Sequence, residues 1–285
     1  MGNLVLLDAP SNLGLRPPAE GAVPGCYKTP GVLRDLGILR RLGASDGGVV
    51  TPGRYVGTWQ PGDGVRNSAA IASYTRALAT RIAAVRADGG FPVVLGGDCS
   101  ISLGAMLALR RSGRYGIAYL DGHDDFRHLP AAGHVGAAAG EDLAIMTGRG
   151  AADLADIDGL RPYVRDEDVL VLGVRSAESA QLRAAGITHV TSEAIMSGAP
   201  VPPAVPDLDG FWVHVDIDVL DPAHVSAVDS PDPGGLDPDA LVSVLRELLA
   251  RPGAAGFELT VFDPDLDPDG RQAALVADIL ERALR

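Results

Sequence analysis

The stretch Asp216-Ile217-Asp218-Val219-Leu220-Asp221-Pro222 follows Phe211 to Val215, an apolar run of the length of a buried strand. Two other segments repeat the arrangement. Gly96-Gly97-Asp98-Cys99-Ser100 follows the run Phe91 to Leu95, and Asp121-Gly122-His123-Asp124-Asp125 follows Tyr115 to Leu120. Parallel strands of one open sheet aim their carboxyl ends at a common crevice, where such sheets bind ligands. Acids gathered there repel one another unless a cation holds them. The three segments therefore predict a metal site at the edge of a parallel sheet, with donors enough for two metals.

Outward from these segments, strand-length apolar runs alternate with helical patterns, the βαβ rhythm of a sheet covered on both faces. Strands are predicted at Leu4 to Leu7, Val169 to Val174, Thr188 to Val190 and Phe257 to Phe262, besides the three above. One helix is predicted from Pro30 through Leu33, Leu36 and Leu39. A second carries Ile71, Tyr74, Leu78, Ile82 and Val85 at helical spacing and stops at Gly89-Gly90. Ser100 is placed to cap a third over Leu103 to Arg110. Asp237-Pro238 opens a fourth, and Ala273 to Leu284 closes the chain. Phe126 to Gly140 reads as a long loop, a kind that is usually functional. No repeat or linker interrupts the pattern, so residues 1–285 are expected to form one domain.

Composition narrows the function. A net charge of −13 argues against nucleic acid, whose phosphates need a basic face, and suits a small cationic substrate. The two cysteines, Cys26 and Cys99, are too few for a disulfide framework. No signal peptide and no apolar run of membrane-spanning length is read, which leads to the expectation of a cytoplasmic protein without a membrane partner. Alternation along an extended segment brings Asp121, His123 and Asp125 to one side, and likewise Asp216 with Asp218. With Cys99 they offer six ligands, and carboxylates plus one imidazole suit Mn, Zn, Fe or Ni.

The patterns GGD-x-S, D-x-H-x-D and DIDVLDP, in this order and at these strand ends, resemble those of the arginase–agmatinase family of ureohydrolases, from about Pro30 through Pro264. The resemblance implies a three-layer α/β/α sandwich with a mostly parallel eight-stranded sheet, two Mn²⁺ ions, and a trimer or hexamer. Carried over by position, Asp121 and Asp216 would bridge both metals. Cys99 and Asp125 would complete the first, and His123 and Asp218 the second. A metal-bridging hydroxide would attack the central carbon of an amidino or guanidino group, and Asp125 would pass the proton to the leaving amine.

Three positions depart from the pattern. Cys99 stands where the family has histidine, and its softer thiolate shifts preference towards Zn²⁺ or Fe²⁺. Ala139 stands at the arginase proton-shuttle histidine, leaving His134, or else His128, as the loop's replacement. Val261 stands at the glutamate that grips a guanidinium in the last strand, which makes arginine and agmatine poor candidates. Glu258, three residues earlier, is expected behind the ligands, and Glu178 near the substrate's amino group. Two functions follow as expectations. One is a metal-dependent hydrolase of a C–N bond in an amidino, formimino or modified guanidino compound. The other is a degenerate homologue that binds a ligand or regulates a partner without catalysis.

Overall fold

The computed structural model describes residues 2–127, 136–203 and 207–285, and of Glu178 the backbone alone. Its eight strands are β1 (Asn3–Ala9), β2 (Ser45–Val49), β3 (Gly90–Gly96), β4 (Tyr115–Leu120), β5 (Val169–Val174), β6 (Thr188–Thr191), β7 (Gly210–Asp216) and β8 (Ala254–Thr260). They form one sheet in the order β2-β1-β3-β8-β7-β4-β5-β6, and every pairing is parallel. The three motif-bearing strands, β3, β7 and β4, thus lie in the middle of the sheet, with β8 between β3 and β7.

Period-two alternation sends neighbouring side chains to opposite helical layers. Val93, Leu95, Val213 and Val215 join a core with Leu33, Ile38, Leu241, Leu245, Ile279 and Leu280. Val94, Tyr119, Val171 and Trp212 join another with Leu78, Ile82, Leu103, Leu107 and Leu143. The helices Thr29–Asp35, Ile38–Leu42, Pro238–Ala250 and Arg271–Leu284 supply the first, and Ser68–Ala87, Ser102–Arg110 and Asp142–Met146 the second. The architecture is the expected α/β/α sandwich. Among the described residues no helix is long and apolar enough to cross a membrane.

Three local expectations are corrected and one strand is added. The helix read as continuous from Pro30 to Leu39 breaks at Gly37, whose φ of +76° is left-handed, and Leu36 turns to solvent. The edge strand β2, Ser-Asp-Gly-Gly-Val, carries no apolar run and was not legible by periodicity. The last strand stops at Thr260 rather than Phe262. The cap after β3 is Asp98, not Ser100: its Oδ1 accepts the Ser100 amide at 3.0 Å, and Oδ2 accepts the Ser11 hydroxyl at 2.8 Å.

That turn decides where Cys99 sits. The Asp98 amide donates to the Ser11 carbonyl at 3.1 Å, so the backbone passes so close to Ser11 that a Cβ on Gly97 would lie 1.8 Å from its carbonyl oxygen. A side chain there must push two backbones apart. Gly97→Ala is therefore expected to lower stability by about 1–3 kcal/mol, the range for overpacking. Gly31→Ala, inside the helix Thr29–Asp35 and facing open space, is expected to raise it by about 0.5–1 kcal/mol. Denaturant titration of both variants checks the pair; equal midpoints would contradict the assigned contact.

Candidate metal centre

The loops after β3, β4 and β7 bring Cys99, Asp121, Asp125, Asp216 and Asp218 together, all but Asp125 nearly inaccessible. Backbone amides shape the cluster. The His123 amide donates to Asp121 Oδ1 at 2.6 Å, the Asp218 amide to Asp216 Oδ1 at 2.9 Å, and the Gly122 amide to Asp218 Oδ1 at 3.1 Å. The Cys99 thiol points at Asp216 Oδ2 across 2.7 Å. His123 Nδ1 lies 2.9 Å from Asp218 Oδ2, and its Nε2 lies 3.1 Å from Asp232 Oδ2. Asp125 adopts a left-handed φ of +42°, and its Oδ2 accepts the Tyr119 hydroxyl at 3.0 Å.

The sequence reading did not include several residues that the fold places here. His214, two positions before Asp216 on β7, is fully buried; its Nδ1–H donates to Glu258 Oε1 at 2.8 Å, and its ring stacks on Tyr119 at 4.4 Å. The alternation that joins Asp216 to Asp218 reaches back to His214, but the residue lies hidden inside a run read as apolar. Asp142 accepts the Tyr119 hydroxyl at 2.8 Å and the Ser102 hydroxyl at 2.7 Å. Arg175 is buried against the loop after β7, donating to the carbonyls of Asp218 at 2.9 Å, Leu220 at 3.2 Å and Asp232 at 2.7 Å. It packs where a Cβ on Gly122 would be, 2.0 Å from Nη1, which explains glycine between Asp121 and His123.

Of the remaining expected residues, Glu258 touches His214 and none of the six expected ligands among its hydrogen bonds and ion pairs. Ala139 and Val261 line the cleft over the cluster, with Arg16, Arg127, Asp229 and Asp232; counted to its open mouth the cleft is about 780 Å³. His128 and His134, and the Glu178 side chain, lie outside the described residues.

Electrostatically the cluster is short of positive charge. Burial, then the neighbouring acids, push the carboxyls of Asp125 and Asp216 well above the usual range; Asp218 is raised by the same causes, and so is the Cys99 thiol. Burial lifts Asp142 to about 7. Burial disfavours the His123 cation, but the facing Asp121 and Asp218 outweigh it and raise its pKa. Asp121 is also opposed by burial, yet His123 brings its pKa down. Tyr119 has one proton and faces two carboxylates, so Asp125 or Asp142 must hold another.

The donors meet the requirements of a metal pair. Asp121 Oδ2 is buried without a hydrogen-bond partner, as is His214 Nε2. Cys99, Asp121 and His214 each offer a donor atom within 4.8 Å of the other two, and so do Asp121, His123 and Asp218. The two sets share Asp121. Asp216 stands beside both, one oxygen on the Cys99 thiol and the other on the Asp218 amide.

A model of the arginase family matches residues 25–285. The chain belongs to the arginase family. It is 28% identical to an arginase of Agrobacterium fabrum over 94% of this chain and 88% of that one. It is 30% identical to a formimidoylglutamase of Halobacterium salinarum over 83% of this chain and 80% of that one. An arginase from Bacillus caldovelox superimposes over 100% of this chain and 98% of its own, with a TM-score of 0.86 and 25% identity. Family membership brings metal-dependent hydrolysis of amidino groups as the shared chemistry.

Without a cation the raised acids have a direct consequence. Asp125, Asp142, Asp216 and Asp218 titrate above the 3.8 of an unfolded chain, so the metal-free fold binds more protons than the unfolded state between pH 4 and 7. Its stability is expected to fall as pH rises through that window; His123, raised above 6.5, adds to the fall at higher pH, while Asp121, lowered from 3.8, titrates beneath the window and does not offset it. The melting temperature of chelator-treated protein is expected to drop from pH 5 to pH 8, and divalent metal to remove most of the drop. A metal-free melting temperature that stays level or climbs would contradict these shifts.

Proposed function

We propose that this arginase-family chain hydrolyses a C–N bond of an amidino, formimino or modified guanidino compound at a centre of two divalent cations. The observation that carries the reading is the pair of donor sets meeting at Asp121, whose second oxygen has no hydrogen-bond partner. Asp121 and Asp216 would be shared, Cys99 and Asp125 would serve one cation, and His123 and Asp218 the other. Bound there, divalent cations lower the pKa of water and stabilise negative charge developing at the attacked carbon. Mn²⁺ is the family's metal by resemblance, and Zn²⁺ or Fe²⁺ suits the thiolate better.

The chain's own residues supply the rest. Asp125 lines the cleft, is held by the Tyr119 hydroxyl, and has a raised affinity for a proton. It is placed to take a proton from the attacking water and return it to the leaving amine. Val261 offers an apolar wall where a guanidinium would need a carboxylate, which favours a formimino or substituted amidino group over free arginine. Arg16 and Arg127 on the cleft wall, beside Asp229 and Asp232, suit a substrate that carries an anionic group away from its reacting carbon.

The test uses metal-loaded protein and a panel of formimino-amino acids, amidines and guanidino acids, read by release of ammonia, formamide, urea or amine. Turnover of a panel member, reduced at least about 100-fold in Asp125→Asn with metal retained, supports the reading. Two metals per chain and tight binding of a panel compound without turnover would contradict it and favour a ligand-binding role, the role towards which Ala139 and Val261 point.

A further inference from the structure

Cys99 deprives the first cation position of the imidazole that the motif resemblance would place there, yet the fold returns an imidazole to the same spot from another strand. His214 leaves β7 on the face of Asp216, is wholly buried, and its Nε2 has no hydrogen-bond partner. His214 belongs, through one ring nitrogen, to a set with Cys99 Sγ and an Asp121 oxygen in which every separation is at most 4.8 Å. Donors bound at about 2.0–2.3 Å around a tetrahedral cation lie about 3.3–3.8 Å apart, so a set already within 4.8 Å closes on a cation by a side-chain adjustment of about 1 Å or less. Nδ1 is committed to Glu258: its N–H donates to Oε1 at 2.8 Å, which fixes the tautomer and leaves Nε2 as the nitrogen with a lone pair to offer a cation. Stacking on Tyr119, with the rings 7° from coplanar, holds the ring plane.

We infer that His214 is a metal ligand of the first cation position, which is built from Cys99, Asp121 and His214, with Glu258 as the residue that positions the imidazole. This rests on the two-cation reading above and departs from its ligand set. The histidine of the first motif has in effect moved from the loop after β3 to the end of β7, and the thiolate joins it rather than replacing it. The two positions then differ in character. One has thiolate, imidazole and carboxylate, a set that favours Zn²⁺, Co²⁺ or Fe²⁺ over Mn²⁺; the other, with His123, Asp121 and Asp218, is mainly oxygen.

A buried histidine with one unpartnered ring nitrogen has a plain alternative: a core residue stacked on Tyr119 and tied to Glu258, binding no metal. Metal stoichiometry separates the two. Wild-type protein titrated with Zn²⁺ under reducing conditions is expected to bind two equivalents, and His214→Gln to bind one. The double variant Cys99→His with His214→Gln is expected to regain the second equivalent, and Glu258→Gln to weaken the first position about 10–100-fold. Two equivalents in His214→Gln, with wild-type affinity, overturn the inference while leaving the two-cation reading intact. Fewer than two in the wild type defeats that reading instead.

If His214→Gln does not fold, the wild type alone decides. Histidine-labelled protein loaded with Co²⁺ should show a strongly shifted imidazole N–H that exchanges slowly, because His214 is fully buried and His123 is not. Absence of that resonance, with two Co²⁺ bound, overturns the inference.

Discussion

Negative charge without a counter-charge is the constraint around which this molecule is arranged. Asp121, Asp142, Asp216 and Asp218 are buried with Cys99 at the carboxyl ends of the central strands, and Asp125 lines the same cleft. Burying one ionised carboxylate alone is expensive, and several together more so. The fold meets part of the cost with neutral donors: three backbone amides and the hydroxyls of Tyr119 and Ser102. None of these supplies the charge itself. His123 supplies one positive charge, paired with Asp218. What is left over, a buried Asp121 oxygen and a buried His214 nitrogen without hydrogen-bond partners, has the chemistry of a place for cations.

The sheet order explains why three distant segments can share that place. The chain builds β3, β4 and β7 far apart in sequence, and the order β3-β8-β7-β4 sets them side by side with parallel ends. Glycines then let the loops close over the ends. Gly97 passes within van der Waals distance of Ser11, and Gly122 makes room for Arg175, which in turn holds the carbonyls of Asp218 and Leu220. Asp221, at the end of the DIDVLDP segment, accepts the amides of Ala223 and Gly234 and so anchors the loop that brings Asp229 and Asp232 to the cleft. Its role is structural, as is that of Asp98 in the first motif.

Strand and helix positions were legible where an apolar period ran long enough to be read. The buried central strands were found to within one to three residues at their ends, and β2 was not found, because an exposed edge strand of Ser, Asp and Gly has no period to read. The break at Gly37 was missed because the leucine spacing runs across it without interruption. At the site, alternation within a segment revealed Asp121, His123 and Asp125, and Asp216 with Asp218. It did not reveal Tyr119, Asp142, Arg175 or Glu258's grip on His214, since these meet only through the tertiary fold. His214 was the one residue whose signal was local, at the same spacing before Asp216 as Asp218 after it, and a strand otherwise apolar concealed it. The departures expected at Cys99, Ala139 and Val261 rest on the motif resemblance alone, since nothing in their own neighbourhoods marks them as changed.

On the proposed reading the centre pairs carboxylates that resemble the family's motifs with different residues around them, as a hydrolytic apparatus turned to a different substrate would require. Its central claim is the sharing of Asp121 between two cations. Anomalous diffraction from crystals grown with Zn²⁺ or Mn²⁺ addresses it without reference to any substrate. Two peaks about 3.5–4 Å apart, one on either side of the Asp121 carboxylate, are predicted; a single peak, or none among these side chains at saturating metal, would contradict the account.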